Sequence, residues 1–489
     1  MHAMSRGRPH APVVLLVLAF ILSPLAVFAD NPPSNAPAAS STDTTDYVQL
    51  LQQVFQSVQD NYVDKVDAKK LFEGAMKGLF DTLGDPHSYY LTQDQLKDLT
   101  DTTRGRFGGV GLIISKPAAA AAAGGQETVA IQGIQPEPAY VEVVSPIQGT
   151  PAFKAGISAG DRISKIENES TIPMSIDDVV NKLRGIPGTA VTVTIVRGSG
   201  ITFTTTLDRA IIEVPVVRFA MIPDNIGYLR IIQYTPLTPS KVRDAVEALA
   251  KQGAKSLIID ERGNPGGLLS AVVRTSDFFL SAGTIVSTRS PIPAENAVYA
   301  ATASTLVPAA LPIIVLIDKG SASAAEIFAG ALKDHDRALL VGETSYGKGS
   351  VQQVFFLKDG DGAFKLTTAR YYTPDGVNID KIGIKPDVAV NEPQLSQPEQ
   401  DSLKKLLEEN IVTTYVRENP NADDSDIAAF TSKLQKDGFK LGQSTLLQLV
   451  HSEQDRMQND PPVYDLRYDK ILTEAVSLLQ SGQYPKKPQ

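Results

Sequence analysis

The sequence predicts a multidomain α/β protein, and three patterns carry that expectation. At 489 residues the chain exceeds what one ordinary hydrophobic core accommodates. From Ile226 onward, strand-like and helical stretches alternate, as they do when helices cover a sheet. Between residues 103 and 208 short strand-like runs dominate instead, and helical apolar spacing marks both ends of the chain.

Residues 1–29 read as a secretory signal peptide. Arg6 and Arg8 precede an apolar run from Ala11 to Phe28, and the small residue Ala29 closes it. An uncleaved membrane anchor is the alternative, disfavoured because the run is short and Pro24 interrupts it. Cleavage after Ala29 removes two arginines and no acid, taking the formal charge from −9 to −11. Such acidity argues against nucleic acid or an anionic membrane surface as partner. Cysteine is absent, which excludes thiol nucleophiles and thiolate metal sites. The expected export to the bacterial cell envelope, in the periplasm, therefore needs no disulfide chemistry.

Residues 30–45, rich in Pro, Ser, Ala, Asn and Thr, read as a flexible linker. Residues 46–102 form a helical N-terminal domain. Leu50, Leu51, Val54, Phe55 and Val58 recur at helical spacing, as do Leu71, Phe72, Ala75, Met76 and Leu79, before Gly84-Asp85-Pro86-His87-Ser88 breaks the helix. Over 103–208, strands are expected at Val110–Ile114, Val129–Ile131, Tyr140–Val144, Val191–Val196 and Thr202–Leu207, with the Ala/Gly run 117–125 as a loop insertion. In 209–391, strands Ile226–Tyr234, Lys255–Asp260, Leu311–Ile317 and Ala338–Val341 alternate with helices Ser240–Lys251, Leu268–Leu280 and Ser323–Lys333. Val351–Phe356 and Phe364–Tyr372 close the unit as a pair of strands. Residues 392–489 form a charged, amphipathic helical region.

The chemistry centres on Gly320-Ser321-Ala322-Ser323-Ala324-Ala325-Glu326 and Lys348. Ser323 sits where a helix starts, so unpaired backbone N–H groups and the positive end of the dipole favour a developing oxyanion. An ordinary capping serine is the plain alternative. Lys348 shifts the balance. A helix of about eleven residues carries the chain roughly 16 Å away, and the extended residues after it return roughly 13–20 Å, so the loop Thr344–Gly349 can come back to the serine. As a general base the amine must lose about 3 pK units, a cost of about 4 kcal/mol that burial can supply. Histidine offers little competition. The five are His2, His10, His87, His335 and His451, the first two in the leader, so a histidine base has few candidates and a His-rich metal site none.

Other segments carry weaker signals. Gly342-Glu343-Thr344-Ser345-Tyr346-Gly347-Lys348 has the spacing of a phosphate-binding loop, but Gly349 stands where Ser or Thr must hold magnesium, and a strand follows instead of a helix. A nucleotide site is not expected. Asp260-Glu261-Arg262-Gly263-Asn264-Pro265-Gly266-Gly267 lies between a strand and a helix, and its glycine pair can present bare N–H groups to an oxyanion. Phe107-Gly108-Gly109-Val110-Gly111-Leu112 runs into a strand, which suits capture of a peptide carboxylate and β-augmentation. Turn chemistry alone accounts for either segment taken singly.

Together these segments resemble the carboxyl-terminal processing (tail-specific) serine proteases of bacterial envelopes and chloroplast lumens. The resemblance spans roughly residues 47–391 plus Asp465–Leu479. It rests on five ordered motifs: Gly84–Ser88, Phe107–Leu112, Val144–Ile163, Asp260–Leu269, and Ser321–Glu326 with Gly347–Gln352. It implies a ClpP/crotonase-like protease core with an inserted β-rich PDZ domain, flanked by helical regions. Matched residue by residue, Ser323 is the nucleophile, Lys348 the general base and Gln352 the group that orients it. The N–H groups of Ala324 and of Gly266 or Gly267 form the oxyanion hole, the choice of glycine being open. Gly109, Val110, Gly111 and Leu112 bind the peptide terminus. Two departures are Ala325, in place of a small hydroxyl residue, and Glu261, in place of an apolar one. The implied activity is cleavage of proteins or peptides with free, unstructured, apolar C-termini, with no cofactor or metal. The implied partners, besides substrate, are further copies of the chain and an envelope adaptor protein, with no nucleic acid. The rival reading is a catalytically silent PDZ scaffold that only binds tails.

Overall fold

The computed structural model describes residues 41–482 except 116–139, 148, 159, 198–200, 304, 359–361, 392–394, 410 and 459–460. The signal peptide, the Ala/Gly run and the strand expected at Val129–Ile131 lie outside the described residues.

The N-terminal region builds helices α1 (Ser41–Asn61) and α2 (Ala68–Asp81), strand β1 (Tyr89–Leu91) and helix α3 (Gln93–Arg104). Helix α1 starts inside the stretch read as linker. Asp67 caps α2 by accepting from the Lys69 N–H at 2.8 Å. The apolar face of α1 (Tyr47, Leu50, Leu51, Val54) is exposed. β1 is different, because it pairs with a strand of the unit that begins at β10 (Val217–Ile222), Tyr89 opposite Lys365.

The next unit runs β2 (Arg106–Gly109), β3 (Leu112–Ser115), β4 (Val141–Pro146), α4 (Pro151–Lys154), β5 (Arg162–Ile166), β6 (Glu169–Ser170), α5 (Ile176–Leu183), β7 (Ala190–Arg197), β8 (Ile201–Asp208) and β9 (Ala210–Glu213). Its main sheet has the order β3-β4-β5-β7-β8, and β2 pairs with β9 apart from it. Alternation along β7 turns Val191, Val193 and Ile195 inward, where they meet Val141, Val143, Ile163 and Val179 in a closed core.

The third unit contains β10 (Val217–Ile222), β11 (Ile226–Ile231), α6 (Thr238–Lys251), β12 (Ser256–Asp260), α7 (Leu269–Ser276), β13 (Thr284–Arg289) and β14 (Ala297–Ala300). It continues with β15 (Ile313–Ile317), α8 (Ala324–Asp334), β16 (Leu339–Gly342), β17 (Ser350–Phe356), β18 (Ala363–Tyr372) and β19 (Val388–Ala389). One sheet has the order β10-β11-β12-β15-β16-β19, parallel except for β10. Its strands are buried on both sides, so they are continuous apolar runs whose alternate residues serve different layers. Leu229, Leu257, Ile259 and Val315 pack toward α6, α7 and α8. Tyr228, Ile258, Ile314 and Val341 pack on the opposite side, against Ile471, Leu472, Ala475 and Leu478 of a C-terminal helix. The second sheet, β1, β13, β14, β17 and β18, is antiparallel and completes the larger core.

Three expectations need correction. α7 ends at Ser276 instead of Leu280, because Phe279 and Leu280 are buried without being helical. β11 stops at Ile231, since Tyr234 turns away to bridge Gly267. Strands β13 and β14 were not anticipated, although Thr-Ile-Val-Ser-Thr in β13 is rich in β-branched residues.

The C-terminal region forms α9 (Gln397–Glu408), α10 (Ile411–Glu418), α11 (Asp424–Lys436), α12 (Gln443–Arg456) and α13 (Lys470–Ser481). Asp469 caps α13 and also receives Arg262, at 2.6 Å, which in turn grips Asp260 at the end of β12. Helix α13 is thus part of the third unit, while α9 to α12 carry apolar clusters of their own.

Candidate active site

Ser323 stands at the junction of β15 and α8, immediately before the first helical residue, Ala324. Its backbone adopts φ 56° and ψ −113°, a conformation that costs a residue with a side chain roughly 1–3 kcal/mol. The turn is held from below: Ser321 Oγ donates to the Glu261 carbonyl at 2.9 Å, and the Ala322 N–H donates to the Asn264 carbonyl at 2.9 Å. Ser323 Oγ is buried and makes no hydrogen bond among the described residues.

Glu326, one turn into α8, joins the serine to the lysine loop. Its fully buried carboxylate accepts from the N–H groups of Ser323 (2.8 Å), Gly347 (2.7 Å) and Lys348 (2.8 Å), and from Ser345 Oγ (2.6 Å). One acidic group therefore ties the backbones of both candidate catalytic residues. Burial pushes the Glu326 carboxyl up, against those hydrogen bonds. Sequence reasoning assigned Glu326 no role, although Ser323-x-x-Glu326 has the spacing of a helix-start signature.

The Lys348 side chain is buried, and burial pushes its amine below the usual lysine value, opposed by the charges of Glu326 and Asp85. The bend it needs comes from packing as much as from torsion. A Cβ on Gly349 would lie 2.4 Å from the Asp380 backbone nitrogen, so only glycine lets the loop pass. Four residues on, a register shift between Val351 and Gln352 breaks the β17 ladder. Gln352 is fully buried; its Nε2 donates to Ser350 Oγ at 2.8 Å, and its Oε1 has no hydrogen-bond partner among the described residues. Tyr371 of β18 lies next to Ser323; its hydroxyl is buried and meets no hydrogen-bond partner with good geometry among the described residues.

The glycine pair of the 260–267 turn abuts this site. A Cβ on Gly266 would meet the Ala322 carbonyl at 2.7 Å and the Ala324 nitrogen at 2.8 Å. The Gly266 N–H is engaged, donating to Asn264 Oδ1 at 2.9 Å. Those of Gly267 and Ala324 make no hydrogen bond among the described residues. Glu261 turns out to support this turn: it accepts from Tyr234 OH at 2.5 Å and Asn264 Nδ2 at 2.6 Å, and burial pushes its carboxyl well up. Among the described residues no three His, Asp or Glu side chains converge as metal ligands.

In the β-rich unit, Gly109 ends β2 and Leu112 begins β3. Between them, the N–H groups of Val110 and Gly111 make no hydrogen bond among the described residues. Among the described residues, β3 is an edge strand of its sheet. Leu112 and Ile114 of β3 and Ile176 of α5 line the same core as Val179 and Leu183.

The Gly84–Ser88 motif also reaches the site, which sequence reasoning left without a role. Asp85 accepts from Thr367 Oγ1 of β18 at 2.6 Å, and the Thr367 N–H donates to Ser88 Oγ at 2.9 Å. His87 is held below its usual value by burial and then by the charge of Lys348.

Comparison with known proteins agrees with this architecture. Residues 225–390 match peptidase family S41, 28–95 match the activating protease CtpB N-terminal domain, and 142–197 match a PDZ domain. A carboxy-terminal-processing protease of Bartonella bacilliformis is 37% identical over 434 residues, 87% of this chain and 92% of the relative. The carboxy-terminal processing protease CtpA of Bacillus subtilis is 32% identical over 384 residues, 78% of either chain. A solved photosystem II D1 C-terminal processing protease aligns with 70% of this chain and 92% of its own, at 31% identity and a TM-score of 0.41. The chain belongs to peptidase family S41, and within it to the carboxy-terminal-processing proteases that carry a PDZ domain.

Proposed function

We propose that this protease is an exported endopeptidase that cleaves by a Ser-Lys mechanism and chooses substrates by their free C-termini. The observation that carries the mechanism is the strained, buried Ser323, whose hydroxyl has no hydrogen-bond partner among the described residues and whose backbone N–H shares the Glu326 carboxylate with that of the buried Lys348. Neutral Lys348 Nζ takes the Ser323 proton as Oγ adds to the scissile carbonyl carbon. Gln352 orients the amine. The carbonyl oxygen, now negative, accepts from the Ala324 and Gly267 N–H groups; Gly266, already bonded to Asn264, serves the turn and not the oxyanion. The C–N bond breaks as the lysine ammonium returns its proton to the leaving amine. Water then releases the acyl group by the same route in reverse.

The tail itself adds to the free edge of β3, with its carboxylate on the Val110 and Gly111 N–H groups and its last apolar side chain between β3 and α5. Export rests on the leader, residues 1–29; no helix among the described residues is long and apolar enough to cross a membrane. The exposed apolar face of α1 supports assembly of several copies. Ser323→Ala and Lys348→Ala should each abolish hydrolysis of an unfolded substrate with thermal unfolding unchanged, and Gln352→Ala should be milder. Near-normal turnover by the Lys348→Ala protein would overturn the mechanism. Tail binding without any hydrolysis by the native chain would return the scaffold reading.

A further inference from the structure

We propose that Asp85, carried by the N-terminal region, is a positioning residue of the active site: acting through Thr367, it fixes which way the Gln352 carboxamide points. The inference rests on the Ser-Lys-Gln reading above. Asp85 lies outside the protease unit in sequence, in the loop between α2 and β1, yet three donors converge on its carboxylate. Thr367 Oγ1 and Ser88 Oγ each donate at 2.6 Å, and the His87 N–H at 2.9 Å. β1 pins the segment by pairing with β18, the strand that carries Thr367.

The direction of the chain follows from the donor inventory. A carboxylate only accepts, so the single hydroxyl proton of Thr367 is committed to Asp85. Thr367 Oγ1 can then only accept from Gln352, and Gln352 Nε2 is the atom that faces it, at 3.4 Å. The same nitrogen donates to Ser350 Oγ at 2.8 Å. With its nitrogen held on that side, the carboxamide presents Oε1, buried and without a hydrogen-bond partner among the described residues, as the acceptor for the lysine amine. Without Asp85 the Thr367 proton is free to turn toward Gln352, and the two amide orientations lose their distinction. Hydrogen bonds from Ser88, Thr367 and His87 hold the Asp85 carboxyl below the usual range despite burial, so the acceptor stays ionised.

The test is steady-state kinetics of the full chain on a short peptide with a free C-terminus. Asp85→Ala and Thr367→Val should each lower kcat about tenfold or more with KM nearly unchanged. The double variant should be no worse than about twofold below the weaker single, since both break one link. Thr367→Ser, which keeps the hydroxyl, should restore most of kcat. Should Asp85→Ala fail to fold, the Thr367→Val and Thr367→Ser pair decides alone. Unchanged kcat in Thr367→Val, equal damage from Val and Ser, or losses that multiply in the double variant would each overturn the proposal. Lys348→Ala separates the two readings. If it is inactive while Thr367→Val is normal, only the Asp85 inference fails; if it is active, the Ser-Lys reading itself fails.

Discussion

Two glycine-bearing turns in this molecule share one backbone device, and the proposed function gives them different tasks. Both Gly109–Leu112 and Asn264–Gly267 adjoin a strand, and both leave backbone N–H groups unbonded among the described residues. They differ in what surrounds them. The 264–267 turn is buried, carried by Asn264 and Glu261, and pressed against the Ser323 turn. The 109–112 turn leads into β3, which among the described residues is an edge strand. A dry, rigid donor pair suits charge that appears only during reaction, whereas an accessible one suits a carboxylate that arrives already charged. Geometry of the N–H groups is shared; on the proposed function, dielectric and access separate catalysis from capture.

The sharpest way to break the comparison is a methyl group in each turn. Gly266→Ala places a Cβ 2.8 Å from Ser323 Cβ, so kcat should fall on the order of 10²–10³-fold, the scale of a lost oxyanion donor. Gly111→Ala, whose Cβ would lie 2.3 Å from Thr150 Cβ, should weaken tail binding while leaving cleavage of a saturating short peptide intact. Calorimetry and turnover on both proteins check the pair; equal loss of kcat would erase the distinction.

The pH dependence sharpens it further. Burial holds the Lys348 amine below the usual 10.5, and in the proposed Ser-Lys mechanism the active form is the neutral amine. Activity should therefore rise with pH through that lowered value and fall about tenfold per unit beneath it. Replacing His87, His335 and His451 together should leave the position of this rise in place; its displacement to a different pH would assign the base elsewhere.

Lys365 separates burial from function. It is only 2% exposed, and burial, followed by the charge of Lys348, lowers its amine to about 7. An unfolded lysine keeps its proton up to about 10.4, so between about 7 and 10 the unfolded chain binds more protons. Stability therefore increases with pH across that window. Below about 7 the buried charge is fully present, and Lys365→Met should raise the melting temperature there. That gain should vanish by about pH 10; a gain independent of pH would assign the effect to packing instead.

The smallest effect concerns the open turn. Amidating a substrate C-terminus removes the charge that the Val110 and Gly111 N–H groups are proposed to receive, and should weaken cleavage about tenfold, or about 1.4 kcal/mol. Equal cleavage of acid and amide peptides would detach the 109–112 turn from tail recognition.

Much of this was legible in the sequence because the signals are local. Apolar runs such as Ile313–Ile317 declare strands buried on both faces, and the heptapeptide Gly320–Glu326 declares a helix start. From residues alone came the alternating core strands and helices, the family, and the residue types at the site, but not strands such as β13 and β14. The sequence did not determine which glycine N–H is free, because that depends on Asn264 Oδ1 reaching Gly266 across the turn. Nor did it show that Glu326 binds both the serine and lysine backbones, or that Asp85 touches a threonine 282 positions away. Contacts of that kind leave no periodicity. They exist only once the sheets have closed, when the loss of water forces every buried carboxylate to find donors wherever in the chain they lie.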